Sequence, residues 1–334
     1  MAIKSEMQPD YVLSELEKEV LKNAMLSILA DPYRQYKSFC YQVEELIRKG
    51  KIPAGFLKAL NELSLREKVS YPFVFIKNLP IDENVPKFDN ENPIQSKYQL
   101  KKTFIAEGCL YLIGKVLNQI PIGYLNVNGG DVFQDIYPQR SLKDTQSQKA
   151  LGPIFFHKDL ANHFVRPDFV NMLSMRSHGE NEIYTTFVKN IDVINSFSEF
   201  EIERLRQAKF HTPFDDLTTK AGSYDVGEAS LHPIISDDYD IRYFENRTKG
   251  IDEEAQQLVE LVKSRLHELK SCVQMVAGDF IGVANNYSVH GKEVGALQFP
   301  ELAWERWTMK TVNVSSIEPY RDKMVAGSDY LIQG

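Results

Sequence analysis

Gly152-Pro153-Ile154-Phe155-Phe156-His157-Lys158-Asp159 opens on a turn, passes through a β-favouring Ile-Phe-Phe, and ends with an imidazole and a carboxylate two residues apart. On a strand, residues i and i+2 face the same side, so His157 and Asp159 can both reach one point in space. The segment is one of a series. Short strand-like runs also occur at Tyr71 to Ile76, Gly130 to Ile136, Phe169 to Met175, Ile183 to Val188, Asp279 to Ala284 and Trp307 to Val314. Many short strands separated by turns predict a sandwich or barrel, here a β core from roughly residue 70 to 314.

Helical periodicity surrounds this core. Val12, Leu13, Leu16, Val20, Leu21, Met25, Ile28 and Leu29 recur at three-to-four spacing, and similar patterns cover 35–49, 53–65, 100–118 and 253–273. Residues 81–97 are polar and predict a surface loop, and 207–250, rich in Asp, Thr, Gly and Ser, predict an insertion over a site. The expected organisation is an N-terminal helical segment, 1–70, packed on a β domain, 71–334.

With 334 residues, 43% hydrophobic and 25% charged, the composition is that of a globular protein and excludes disordered and collagen-like classes. A net charge of -7 with no Lys/Arg run argues against nucleic acid as a partner. No apolar stretch reaches the roughly 18 residues a membrane span needs, and the first twenty residues lack the order of a secretory signal. The expected location is cytoplasmic, with no membrane partner and with homo-oligomer formation left open. Cys40, Cys109 and Cys272 are odd in number and widely spaced, which predicts neither a disulfide framework nor a zinc site.

A single His-x-Asp is a weak signal, and His178-Gly179-Glu180 is a second His-x-acid in a polar, glycine-containing stretch that predicts a surface turn. The C-terminal part separates the two. His290, in Asn285-Asn286-Tyr287-Ser288-Val289-His290-Gly291-Lys292, follows a strand, and Arg306 lies sixteen residues on, at the start of another. Two histidines and one carboxylate hold Fe(II) and leave positions open for oxygen and a co-substrate. An arginine beside them can pair bidentately with the far end of a dicarboxylic acid.

From about Phe73 to Val314 the chain resembles the clavaminate-synthase-like Fe(II)/2-oxoglutarate-dependent oxygenases, close to the free L-lysine hydroxylases. The resemblance rests on Phe75-Ile76-Lys77-Asn78-Leu79-Pro80-Ile81-Asp82, Gly129-Gly130-Asp131-Val132-Phe133-Gln134-Asp135-Ile136-Tyr137-Pro138, Phe156 to His163, Tyr184 to Val188, His290-Gly291 and Arg306-Trp307, all in the family's order. It implies a mainly β fold with flanking α elements: a double-stranded β-helix (jelly-roll, cupin-like) core, N-terminal helices and a lid insertion at about 207–250. It implies iron on His157, Asp159 and His290, 2-oxoglutarate on Arg306, and O2 as co-substrate, with succinate and CO2 as products. A threonine on the strand after the metal pair also holds the co-substrate in the family, and the alternation Tyr184, Thr186, Val188 favours Thr186 over Thr185. His163 is read as orienting the ligands.

The resemblance further implies hydroxylation of a free amino acid. Lysine is the expected substrate, with C4 as the preferred carbon and C3 as the other. Lys292 stands where the family often has arginine, and the acidic pair that guanidinium-binding relatives carry is replaced in Arg242-Tyr243-Phe244-Glu245-Asn246, which argues against arginine. Gln134, Arg242 and Asn246 are candidate substrate contacts, and Asp215 and Asp216, in an acidic segment with Asp225, are candidate partners for a substrate ammonium. Asp159 argues against halogenation, since related lysine halogenases have glycine there. The alternatives are a hydroxylase of arginine or asparagine and a non-catalytic cupin-like binding protein. A serine hydrolase is disfavoured by the lack of a Gly-x-Ser-x-Gly elbow.

Overall fold

The computed structural model describes residues 5–89, 92–143, 145, 147–213, 229–236 and 239–333. The chain begins with β1 (Ser5–Glu6) and β2 (Tyr11–Val12), then helices α1 (Glu15–Leu26), α2 (Tyr36–Arg48) and α3 (Ala54–Ser64). Next come β3 (Phe73–Lys77), α4 (Pro93–Leu100), α5 (Ile105–Val116), β4 (Ile120–Tyr124), β5 (Gln134–Ile136) and β6 (Ile154–His157). They are followed by β7 (Phe169–Arg176), β8 (Asn181–Lys189), α6 (Asn190–Ile194), α7 (Glu199–Leu205), β9 (Phe210–His211) and β10 (Lys249–Gly250). The chain continues through α8 (Glu253–Leu269), β11 (Ser271–Val273), β12 (Phe280–Ala284), β13 (Ser288–Leu297), α9 (Pro300–Ala303), β14 (Trp307–Val314) and β15 (Leu331–Ile332).

The strands form two main sheets. One has the order β1-β11-β8-β13-β6; the other runs β15-β4-β14-β7-β12-β3-β2, with β5 added on β14. Most pairings are antiparallel, but β1 with β11, β2 with β3 and β15 with β4 are parallel, so both sheets are mixed. Strand alternation divides the side chains between layers. Phe75, Val170, Met172, Phe187, Val273, Ile281 and Val312 face inward and share one apolar core. Leu173, Met175, Trp307 and Met309 face outward beneath the N-terminal helices, and Phe156, Val188 and Val289 do so beneath α8. Each fully buried side chain of this size contributes about 1.5–3 kcal/mol. On β13 the same alternation turns Val289 out and His290 in.

Several boundaries differ from the sequence periodicity. Val12 ends β2 instead of starting a helix; Ser14 caps α1 and Glu17 reaches back to the Ser14 backbone, a capping box that sets the true start. The late helix stops at Leu269, and Ser271–Val273 joins β8 as strand β11. The loop 81–97 runs into a helix, α4, led by Pro93. In the described parts of 207–250, Ile234, Ile235, Ile241 and Tyr243 are buried with apolar residues of α8, and Phe244 bridges His157. No helix among the described residues is long and apolar enough to cross a membrane.

Two buried lysines hold the helical layer, Lys97 to the sheet and Lys101 within the layer itself. Lys97 meets Asp135 at 2.7 Å and Asp131 at 3.0 Å, while the other Asp135 oxygen accepts the Trp307 indole N–H at 2.8 Å. Lys101 meets Asp82 and Glu107 at 2.9 and 2.7 Å. Removing one member of such a group leaves a buried charge without compensation. Asp135→Asn is therefore expected to cost about 3 kcal/mol, the lower end for a broken buried pair because Asp131 stays, measured by urea unfolding. His232 supplies a pH test. Its Nδ1 faces the Pro233 carbonyl at 2.8 Å and its Nε2 faces the Thr212 hydroxyl at 2.9 Å, and burial lowers its pKa to about 4. The unfolded chain binds this proton first, so stability is lost as pH falls from about 6.5 towards 4. His232→Gln is expected to flatten that part of the stability profile.

Candidate metal centre and active site

His157 is the last residue of β6, and Asp159 lies in the turn beyond it, not on the strand. Leu160 takes a left-handed φ of 50°, which turns the chain sharply after the carboxylate. Asn285 fixes this turn: its side-chain oxygen accepts the Asp159 N–H at 3.0 Å, and its amide donates to the Asp159 and Pro167 carbonyls at 3.0 and 2.9 Å. Sequence reasoning passed over Asn285, although it sits in the same segment as His290. Across the sheet His290 pairs with His157 in register, so both imidazoles enter from neighbouring strands.

The three side chains converge. Ligand atoms of His157, Asp159 and His290 lie within 4.8 Å of one another. His157 Nε2 is 3.4 Å and His290 Nε2 3.6 Å from the same Asp159 oxygen, longer than good hydrogen bonds and suited to ligands around a shared ion. His157 Nδ1 lies 2.8 Å from the Phe155 carbonyl; donation there fixes the tautomer and leaves the Nε2 lone pair facing Asp159. Phe244 stacks on the His157 ring, with centroids 5.1 Å apart. Burial pushes the Asp159 carboxyl up, but the Lys310 ammonium chiefly opposes it, and the carboxyl is held well below the usual carboxylate range. Burial lowers the pKa of His290, with Asp159 opposing. Both groups are thus in the deprotonated form a metal requires, and this set of two nitrogens and one oxygen suits Fe(II).

A cavity of about 330 Å³ opens beside the three ligands; His157, Asp159, Gln134, Arg242, Phe244 and Lys310 are among its lining residues. Lys310, on β14, meets Asp159 at 3.1 Å and Gln148 at 2.8 Å. It too was missed from the sequence, although it lies four residues after Arg306 and so shares its strand face. Gln134 on β5 pairs in register with Lys310, and its buried amide nitrogen has no partner among the described residues. The same holds for Nε of Arg242, which burial and Arg166 push below the usual arginine pKa. Asp159 is the only carboxylate among the described residues lining the cavity.

Other expected residues lie elsewhere. Asn246 is exposed in a turn and does not line the cavity; Phe244 and Arg247 do, because the bridge to His157 turns the next residues outward. Glu245 is turned away as well, accepting the Phe156 N–H at 3.2 Å and facing His267 of α8 at 2.9 Å. The alternation argument for Thr186 also reverses. Thr186 pairs with Gly291 on the outward face, whereas Thr185 pairs with Lys292, two residues from His290 on the inward face. Tyr184 is no guide to the interior because Val188, in the same alternation, packs under α8. Arg306 lines a separate narrow recess with Ile183 and Met275 and is not on the wall of the larger cavity. Burial brings it down to about 10, so it is still charged at neutral pH. His163 stacks on Phe164 and sits edge-on to Tyr124, outside the ligand set. His178 is near Glu305, away from the three ligands. Asp215, Asp216 and Asp225 lie outside the described residues.

Comparison with known proteins agrees with this geometry. No family model matches the chain. An L-lysine 3-hydroxylase of Catenulispora acidiphila is 24% identical over 296 residues, covering 86% of this chain and 79% of the relative. Clavaminate synthase 2 of Streptomyces clavuligerus is 22% identical over 246 residues, 72% of this chain and 74% of the relative. Among solved structures, an asparagine oxygenase in complex with Fe(II), 2S,3S-3-hydroxyasparagine and succinate superposes with a TM-score of 0.80 at 17% identity, over 98% of this chain and 100% of that one. The two packed sheets with an open two-histidine, one-carboxylate face define the class, a non-haem iron oxygenase. Within it, the chain is similar to the clavaminate-synthase-like Fe(II)/2-oxoglutarate-dependent enzymes.

His157→Ala, Asp159→Ala and His290→Ala are each expected to weaken Fe(II) binding at least about tenfold in anaerobic equilibrium dialysis while the circular dichroism stays native. Wild-type iron retention in any one of them removes that residue from the ligand set.

Proposed function

We propose that this protein hydroxylates the side chain of free L-lysine at C4 or C3, consuming 2-oxoglutarate and O2 and releasing succinate and CO2. The observation that carries the reading is the convergence of His157, Asp159 and His290 beside a cavity whose walls hold buried donors without acceptors. Its volume of about 330 Å³ lies at the small end of ligand pockets and suits one amino acid.

Iron with 2-oxoglutarate, when bound, supplies the oxidising power that places one oxygen atom of O2 on a C–H carbon. His157, Asp159 and His290 would hold the metal; Arg306 and Thr185 would hold the distal carboxylate of the co-substrate. The protein's own task is positioning, since a bound C–H bond is oxidised only where geometry presents it. Arg242 and Gln134 each lack an acceptor, and the α-carboxylate of an amino acid supplies acceptors only. Phe244, stacked on His157, closes the cavity wall on that side and limits water near the reacting carbon.

Lysine is favoured by the L-lysine 3-hydroxylase relative and by the fate of Glu245, which is committed to Phe156 and α8 and so offers no carboxylate to a guanidinium at this position. A buried substrate ammonium still needs a carboxylate. Asp159 is reserved for metal, which leaves Asp215 and Asp216 as the proposed partners.

The test is incubation of the iron-loaded protein with 2-oxoglutarate, ascorbate and each free amino acid, read by mass spectrometry. The expected result is one added oxygen on lysine with matching succinate. Oxygen on arginine or asparagine alone would overturn lysine and keep the class; no amino acid oxidised and no succinate would overturn the enzyme reading itself.

A further inference from the structure

We propose that Lys292 is a second cation for the distal carboxylate of 2-oxoglutarate, acting with Arg306 and Thr185; this deepens the reading above and rests on it. Lys292 follows His290 by two residues on β13 and shares its inward face, since both pair regularly with inward residues of β8, Phe187 and Thr185. The step between them is roughly 7 Å. A short dicarboxylate has the length to span such a step, one end at the three metal ligands and the other towards Lys292.

The surroundings of Lys292 supply donors and lack acceptors. Its ammonium is buried and donates to the Ala150 carbonyl at 2.5 Å. An ammonium carries three donors, so two are left, and among the described residues it makes no ion pair. Arg306 makes none there either. On the inward face of β14, between Arg306 and Lys310, the buried Thr308 hydroxyl also has no partner among the described residues. Thr185, in register with Lys292, lies 3.8 Å from the sulfur of Met275, which lines the Arg306 recess. Burial and, after it, the nearby Arg306 oppose the charge of Lys292. A carboxylate between them reverses that penalty, and Arg306 and Lys292 offer it different things, a planar fork and a compact point charge.

The experiment is anaerobic titration of the Fe(II)-loaded protein with 2-oxoglutarate, followed by calorimetry and the visible charge-transfer band. A parallel titration uses 2-oxopentanoate, which has the same chain without the distal carboxylate. Lys292→Met is expected to weaken 2-oxoglutarate at least about tenfold, Lys292→Arg to stay within about threefold, and 2-oxopentanoate and Fe(II) binding to be the same in all three proteins. Unchanged 2-oxoglutarate affinity in Lys292→Met, or equal weakening of both oxo acids, overturns the assignment. If Lys292→Met does not give a native circular dichroism spectrum, Lys292→Gln is judged by the same criteria. Wild-type protein that binds no 2-oxoglutarate overturns the underlying reading, and Lys292 with it; a failure confined to the variants leaves that reading standing.

Discussion

A carboxylate held between two imidazoles is the constraint on which the rest of this structure turns. Asp159 is half-buried, and a carboxylate drawn out of water stays ionised only when positive or polar groups surround it. Here Lys310, which balances the charge, comes from one sheet and His157 and His290, which converge on the same carboxylate, from the other, so the group assembles only when the two sheets face each other in this register. Asn285 adds the backbone restraint, holding Asp159 through its N–H and its carbonyl. The left-handed turn at Leu160 follows from the same demand, because the chain must leave the site at once to let the carboxylate point in.

The interior beside this centre is rich in donors. Arg306, Lys292, Lys310, Arg242 and Gln134 all belong to the inward faces or the cavity wall, against one cavity-lining carboxylate among the described residues. Such a surplus is costly in an empty interior and favourable around anionic ligands. It fits an enzyme that must gather a dicarboxylate co-substrate and an amino-acid carboxylate close to one metal. The outer layers do the opposite work: Lys97 and Lys101 are each matched by acids, Lys97 anchoring α4 to β5, the strand that presents Gln134 and pairs with β14, and Lys101 joining the end of α4 to α5.

Much of the site was legible because strands repeat with period two. His157 lies at a strand position that the pattern marked and Arg306 just before the strand expected to carry it, whereas His290, expected after a strand, lies on one, the ten-residue β13. Lys310 obeyed the same rule and was overlooked. Thr186 failed for an informative reason: the strand β8 is buried on both faces, so alternation says which threonines share a side but not which side is inward. That sense is fixed by the pairing of Thr185 with Lys292. Asn246 failed because a bridge between Phe244 and His157, remote in sequence, rotates the following turn to the surface.

The linear sequence by itself determined the His-x-Asp spacing and the periodicity of most strands and helices, since these depend on residue type and local spacing; the ligand set was implied by the family resemblance. Tertiary structure alone decided which threonine faces inward, that Glu245 serves α8 and not the cavity, and that Lys292 stands in register with Thr185 beyond His290. Those outcomes depend on the register and packing of segments far apart in the chain, and no local pattern carries that information.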